Sequence, residues 1–214
     1  MAKIANLAIP LGWRYEPEPL RASTGISELD TALGGGLPQG RITEFLGPAS
    51  AGSATLMQSI LAAATARGEH CALIDGRDTF DPPSAAAHGA ILQKLIWIRC
   101  HGNAEHAMRA ADLILQSGGF GAVVLDLSHI PPALLARIPP TSWFRFRRAV
   151  EATPTAFVVV GNRSLAKSCA ALLVETRRVR GKFLHGIDYQ ITVRKPPGKE
   201  PLALHVRLHL LPAC

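Results

Sequence analysis

The stretch RITEFLGPASAGSATLMQSILAAA, residues 41–64, decides the fold. It starts with a short apolar strand pattern and ends in an alanine- and leucine-rich segment that is typical of a helix reaching residue 67. Between the two lies GPASAGSAT, in which Gly47 and Gly52 frame a loop. The segment therefore predicts a strand, a glycine-bounded turn and a helix in immediate succession.

Strand and helix patterns alternate along the chain after this segment. Four further runs of apolar residues are typical of strands buried in a parallel sheet, and helix-like segments separate most of them. These runs are residues 71–76, 95–100, 122–128 and 156–162. The order predicts an α/β fold of three layers, with a mostly parallel central sheet and helices on both faces. Three strand patterns without helices end the chain and predict an antiparallel extension of that sheet.

Length and composition indicate one globular unit. The 214 residues are 48% hydrophobic, which is enough for one sizeable core. We divide the unit into an N-terminal arm or linker (residues 1–22), a core (residues 23–165) and a basic, β-rich extension of the same domain (residues 166–214). No apolar run approaches the roughly 18 residues of a membrane span, and the N-terminus resembles no export signal, so we expect a cytoplasmic protein without membrane contact.

Cysteine and histidine patterns predict neither a disulfide framework nor a metal centre. The four cysteines form no CxxC pair, and three of them lie in apolar strand-like segments that favour buried free thiols. The eight histidines show no zinc-binding spacing. We therefore expect no metal and no bound cofactor.

The loop after the first strand has the spacing of a phosphate-binding loop without its cation. The phosphate-loop pattern is G-x-x-x-x-G-K-[ST], and here Gly52 is followed by Ser53 and Ala54. Ser53 brings no charge to the phosphates, Ala54 brings no oxygen to Mg²⁺, and Thr55 comes one residue late, about 100° around the helix. The pattern predicts no ATP hydrolysis and no catalytic residue. Phosphate binding by the backbone alone and a plain strand-to-helix turn are the two roles left to the loop.

A second position fits the same architecture. Asp126 ends the apolar run AVVLD, where nucleotide-hydrolysing proteins carry the carboxylate that orients Mg²⁺. An aspartate at this point can also cap the turn into SHIPP, so two roles are open for it. The predicted vestigial nucleotide site consists of Gly47, Gly52, Ser53, Ala54, Thr55 and Asp126.

Taken in order, STGISELDTALGGGLPQGRITEFLGPASAGSATL, CALIDGRDTFDP and VVLD resemble the core of the bacterial RecA recombinase family. The resemblance is specific from Ser23 to about Asp126. It implies a RecA-like fold and an ancestral nucleotide pocket between subunits. It also implies that three catalytic elements are missing, because the family carries lysine and threonine at Ser53 and Ala54 and a water-activating glutamate at Arg77.

Other departures from the RecA pattern concern Arg77 and the region after Asp126. An arginine at position 77 cannot act as a base and favours an ion pair with Asp75 or Asp78, or an anion. The segment between Asp126 and AFVVVGN leaves little room for the first DNA-binding loop of the recombinase, and Asn162 matches its γ-phosphate-sensing glutamine only weakly. ATP-driven strand exchange is therefore not expected.

With its size, its degenerate RecA-like loop and its basic C-terminal region, the chain resembles the ImuA family of mutagenesis accessory proteins. That resemblance implies a non-catalytic adaptor in the SOS response to DNA damage, acting in translesion synthesis. The implied partners are an ImuB-like Y-family polymerase homologue and an error-prone replicative-type polymerase, with RecA and single-stranded DNA as further candidates. Two alternatives are a RecA-family ATPase with an unusual site and a cell-division inhibitor of the SulA type that acts by protein binding.

Positive charge is concentrated in the last third of the chain. Residues 140–214 carry 13 Lys and Arg against 4 Asp and Glu, a net charge of +9, whereas residues 1–139 carry 10 against 12. This charge has three interpretations: contact with DNA, contact with an acidic protein partner, or simple solvation of the surface. We expect the apolar N-terminal arm to dock on this domain or on a neighbouring one, which makes it a further candidate contact for self-association. The predicted DNA or partner residues are Arg145, Arg147, Arg148, Arg163, Lys167, Arg177, Arg178, Arg180 and Lys182.

Overall fold

The computed structural model describes residues 19–48, 52–179, 187–194 and 202–208, so the predicted arm up to residue 18 lies outside them. The strands are β1 (Arg21–Ala22), β2 (Leu37–Pro38), β3 (Arg41–Leu46), β4 (Cys71–Asp75), β5 (Leu95–Arg99), β6 (Ala122–Asp126), β7 (Ala156–Gly161), β8 (Ala170–Arg178), β9 (Ile187–Val193) and β10 (Leu202–Leu208). The α-helices are α1 (Ser27–Ala32), α2 (Ser53–Ala66), α3 (Pro82–Ala87), α4 (Ala104–Ser117), α5 (Pro132–Leu135) and α6 (Pro140–Glu151).

The main sheet confirms the predicted mostly parallel architecture. Its eight strands lie in the order β10-β9-β8-β3-β7-β6-β4-β5. The strands from β3 to β5 in this order are parallel, and β9 and β10 add the antiparallel extension. The first strand of the extension, β8, runs parallel to β3. After β7 the chain crosses back to the end of the sheet at which β3 begins, and β8 starts there, with Ala170 level with Ile42.

Two apolar layers cover the two faces of the sheet. Successive strand residues point to opposite faces, so Val158 packs in the layer that contains α1 and α2, whereas Phe157 packs in the layer that contains α4 and α6. Phe146 of α6 is fully buried and makes edge-to-face contacts with Trp143 and Phe157, at ring-centroid distances of 5.7 and 5.8 Å. The apolar runs of the sequence thus form the continuous core that their pattern predicted.

A two-stranded ribbon precedes β3, and the sequence patterns did not predict it. Ala22 is level with Leu37 in this antiparallel pair. Gly36 has φ 119°, and a Cβ atom at this position would lie 2.2 Å from the carbonyl oxygen of Ala22, so only glycine allows the approach. The end of the segment predicted as an arm is therefore paired with the core.

A buried carboxylate in the centre of β3 holds the turn that follows β7. Glu44 is only 1% exposed. Its Oε1 accepts hydrogen bonds from the amides of Leu165 and Ala166 at 2.6 and 2.7 Å, and its Oε2 accepts one from the hydroxyl of Ser164 at 2.7 Å. These three donors fix the chain between β7 and β8 beside the carboxyl edge of the sheet.

The cysteines of the described residues are buried, as predicted. Cys71, Cys100 and Cys169 are free thiols, while Cys214 lies outside the described residues. Burial raises the pKa of the Cys71 and Cys100 thiols to about 11, so they are unreactive at neutral pH. In the part of the chain that the structure describes, no helix is long and apolar enough to cross a membrane.

Candidate functional site

The predicted loop lies at the carboxyl edge of the parallel strands. Leu46 at the end of β3 is level with Gly161 at the end of β7, and the amide of Gly47 donates to the carbonyl of Gly161 at 3.1 Å. Gly52 then precedes α2 with φ 85° and ψ 7°, a left-handed conformation that favours glycine. This is the arrangement in which the first amides of a helix can face an anion.

The first turn of α2 holds the three residues that depart from the phosphate-loop pattern. Ser53 and Thr55 are partly buried, and Ala54 is exposed. None of the three has a cationic side chain, and Ala54 has no oxygen. The described part of the loop can therefore offer backbone dipoles and two hydroxyls, but no mobile positive charge.

Asp126 ends β6 level with Asp75 of the neighbouring strand β4. Its Oδ1 accepts hydrogen bonds from both the amide and the hydroxyl of Ser128, at 2.9 and 2.6 Å. Burial raises the pKa of the Asp126 carboxyl, and the charge of Asp75 adds to this rise, while the Ser128 bonds oppose it. The sequence left two roles open for Asp126, a Mg²⁺-orienting carboxylate and a turn cap. The hydrogen bonds from Ser128 are those of a turn cap.

Asp75 organises the loop that follows β4. Its Oδ1 accepts from the amides of Arg77 and Thr79 at 3.2 and 3.1 Å. Its Oδ2 accepts from the amide of Phe80 at 2.9 Å and from the indole nitrogen of Trp97 at 3.2 Å. Four donors thus satisfy both oxygens of a carboxylate that is almost fully buried.

The predicted ion pair of Arg77 with Asp75 or Asp78 is wrong for the described residues. From Arg77, Asp75 accepts only a hydrogen bond of the backbone amide, and Asp78 forms an ion pair with Arg99 and contacts the imidazole of His101. The side chain of Arg77 is exposed at the same edge of the sheet. Binding of an anion by Arg77 stays a prediction.

A comparison with known families supports this architecture. The RecA N-terminal domain family matches residues 8–135, more than half of the chain. The chain belongs to the RecA N-terminal domain family. It is similar to the RecA proteins of Rickettsia massiliae (strain Mtu5) and Rickettsia bellii (strain RML369-C), each 39% identical over 117 residues. The aligned part is 54% of this chain and 34% of each RecA, so the chain spans about a third of the length of these curated relatives.

The basic residues predicted to bind DNA or a partner all follow residue 135, beyond the match to the RecA family. On α6 they do not converge. Arg145 points toward α4, where it pairs with Asp112 at 2.8 Å. Arg147 pairs with Glu151 at 3.4 Å and lies over the ring of Phe144, at 5.8 Å from its centroid. Arg148 is exposed.

Two of the predicted basic residues meet the phosphate-loop region in one cavity of about 590 Å³. Arg163 and Arg177 line it together with Gly47, Asn162 and residues of β9. Arg163 also donates to the carbonyl of Pro132 at 2.9 Å. Lys167 and Arg178 are exposed and do not line this cavity, and Arg180 and Lys182 lie outside the described residues.

The polar wall of this cavity comes from one face of the β8–β9 ribbon. Glu175 is level with Thr192, and Arg177 is level with Gln190, so their side chains share that face. Arg194 completes the wall and pairs with Glu175 at 2.8 Å. A polar wall with an excess of arginine suits phosphate groups.

Sequence reasoning missed Arg109 and Arg137. Each is a lone basic residue in its segment, which carries no signal of its own. The topology brings both beside Arg145 in a second cavity, between α4 and the start of α6. Only the packing of the two helices could reveal this group.

Replacing Asp126 with asparagine should raise the free energy of unfolding at neutral pH by about 1 kcal/mol. Asparagine keeps the oxygen that Ser128 needs and lacks the charge that burial opposes. Because folding raises the pKa of Asp126, the charged form costs stability above the unfolded pKa of about 3.9, and the gain should vanish as the pH falls below that value. Urea unfolding at neutral and acidic pH measures this difference, and an Asp126→Asn protein less stable than the parent at neutral pH would contradict it.

Proposed function

We propose that this protein is a non-catalytic RecA-like adaptor in bacterial SOS DNA repair, which assembles an error-prone translesion polymerase complex at damaged DNA. One observation carries the proposal. β3, the left-handed Gly52 and α2 frame a loop with the spacing of a phosphate-binding loop, while Ser53 and Ala54 stand where lysine and a Mg²⁺-binding hydroxyl would be needed. A fold that retains this arrangement without the groups that react with ATP suits binding rather than ATP hydrolysis.

The missing groups matter because phosphoryl transfer depends on them almost completely. Catalysis of this reaction is positioning and electrostatic stabilisation, and removal of one preorganised donor typically costs about 10²- to 10³-fold in rate. Here the lysine and the Mg²⁺ oxygen are absent together, and the exposed cation Arg77 cannot accept a proton from water. We therefore expect no ATP turnover.

The proposed partners follow from the likeness to the ImuA family and from the charge of the last third. They are an ImuB-like Y-family polymerase homologue, an error-prone replicative-type polymerase and single-stranded DNA, with RecA as a further candidate. The relation to RecA, a DNA-repair protein, supports the setting, and the arginine-rich cavity beside Gly47 supports contact with phosphates. Co-elution with a tubulin-like division protein instead of a polymerase would favour the SulA-type alternative.

An ATPase assay tests the non-catalytic part of the proposal. The full chain with Mg²⁺ and ATP should release no more phosphate than its Asp126→Asn variant, with or without single-stranded DNA. Mg²⁺-dependent hydrolysis that disappears in Asp126→Asn would contradict the proposal and favour an ATPase with an unusual site. The double variant Ser53→Lys with Ala54→Thr shows whether the pocket is accessible, since it should gain nucleotide affinity only if the loop can still receive phosphates.

A further inference from the structure

A groove of about 740 Å³ lies between α4 and the segment that contains α5 and the start of α6. Its inner wall is apolar. Met108 and Ala104 are buried contributions from α4, and Leu134 and Ile138 are partly buried contributions from the opposite side. This wall offers apolar contacts to a single apolar side chain of a partner.

The rim of the groove is cationic. Arg145 is held by Asp112 at 2.8 Å, which fixes its position at the edge. Arg109 and Arg137 are exposed on opposite sides, and within the described residues neither forms an ion pair. Glu105 is the carboxylate among the lining residues, so positive charge is in excess.

We propose that this groove binds an acidic peptide segment of a protein partner, with one apolar side chain anchored between the helices. The two unpaired arginines complement carboxylates on either side of the anchor. The inference deepens the proposed adaptor function and rests on it, because an adaptor without turnover acts only through its surfaces.

The composition of the groove favours a peptide over a nucleic acid. A polyphosphate backbone would gain nothing from the apolar wall formed by Met108 and Ile138, and it would approach Glu105 and Asp112. The cavity beside Gly47 differs, because hydroxyl, amide and guanidinium groups form most of its wall. The two cavities thus suit two kinds of partner.

The test uses the full chain and a fluorescein-labelled peptide of alternating aspartate and leucine residues, followed by fluorescence anisotropy. Arg109→Glu and Arg137→Glu should each weaken binding about tenfold, since each replaces an attraction by a repulsion. Arg21→Glu is the matched control, because it changes the same charge at an exposed position of β1 that does not line the groove, and it should stay within about twofold of the parent. All three positions are exposed, so the variants should fold like the parent, and thermal unfolding of each variant checks this.

Two further probes decide between specific docking and general charge attraction. A peptide with serine in place of leucine should bind at least about tenfold more weakly, because the anchor is lost. Equal losses in Arg21→Glu and Arg137→Glu, or equal binding of the serine peptide, would overturn the proposal. Displacement of the peptide by a thymidine oligonucleotide would overturn it as well and make the groove a nucleic-acid site.

The outcome is separable from that of the proposed function. If the ImuB-like polymerase homologue co-elutes equally with the parent and with Arg137→Glu, the adaptor function stands and the groove proposal is contradicted. If the labelled peptide binds as expected while no polymerase co-elutes and ATP is hydrolysed, the groove proposal stands and the translesion role is contradicted.

Discussion

Replacing Glu44 with alanine is expected to lower the free energy of unfolding by about 3 kcal/mol or more. The carboxylate is buried in β3 and accepts hydrogen bonds from the amides of Leu165 and Ala166 and from the hydroxyl of Ser164. Alanine leaves these three donors without an acceptor, and each buried, unsatisfied donor costs about 1–3 kcal/mol. Urea unfolding followed by circular dichroism measures the loss.

Glu44→Gln is the matched control for this prediction. Its amide oxygen can take the place of Oε1 and keep the bonds from Leu165 and Ala166, so a loss of only about 1–2 kcal/mol is expected. Ser164→Ala removes one donor and should have a smaller effect still. If alanine and glutamine at position 44 destabilise equally, the charge of the carboxylate, and not its hydrogen bonds, holds the turn.

The turn has consequences for the candidate site. Glu44 fixes residues 164–166, and the adjacent Asn162 and Arg163 line the cavity beside Gly47. In Glu44→Ala the side chain of Arg163 should therefore lose its position relative to Arg177. A stability defect and a defect in phosphate contact are expected to appear together in this variant.

Most of the sheet could be predicted because buried parallel strands leave continuous apolar runs in the sequence. The runs around Leu73, Val124 and Val158 each became a central strand. The β1–β2 ribbon could not be predicted, because two-residue strands have no period and depend on the close approach at Gly36. The sequence could not predict the direction of β8 relative to β3 either, since a strand pattern is the same whether its neighbour is parallel or antiparallel.

The candidate site was predictable where spacing alone sets the geometry. Gly52 had to adopt a left-handed conformation between strand and helix, and it does. The role of Asp126 was not predictable, because a turn cap and a metal ligand look alike in sequence. The pairing of Arg77 was predicted wrongly because the end of β5 brings Arg99 to Asp78 and the turn after β5 brings His101 to it, and only the folded sheet creates these contacts.

Changing the four basic residues Arg177, Arg178, Arg180 and Lys182 to alanine is expected to weaken binding of single-stranded DNA about a hundredfold or more at roughly 0.1 M salt. Each lost phosphate contact should lower the slope of log K against log salt concentration by about 0.7, so four contacts lower it by about 2.8. Fluorescence anisotropy of a labelled thymidine oligonucleotide over a salt series gives both quantities.

The control for this experiment removes the same net charge elsewhere. Arg109→Glu combined with Arg137→Glu changes the groove between α4 and α6 and leaves these four basic residues intact. If DNA contacts these four residues, the control keeps the slope of the parent. If both variants lose equal affinity and slope, the interaction follows overall charge and no site is defined. If the parent itself binds no DNA at low salt, the charge of the last third serves a protein partner, because a phosphate-binding surface of this charge would bind most tightly under that condition.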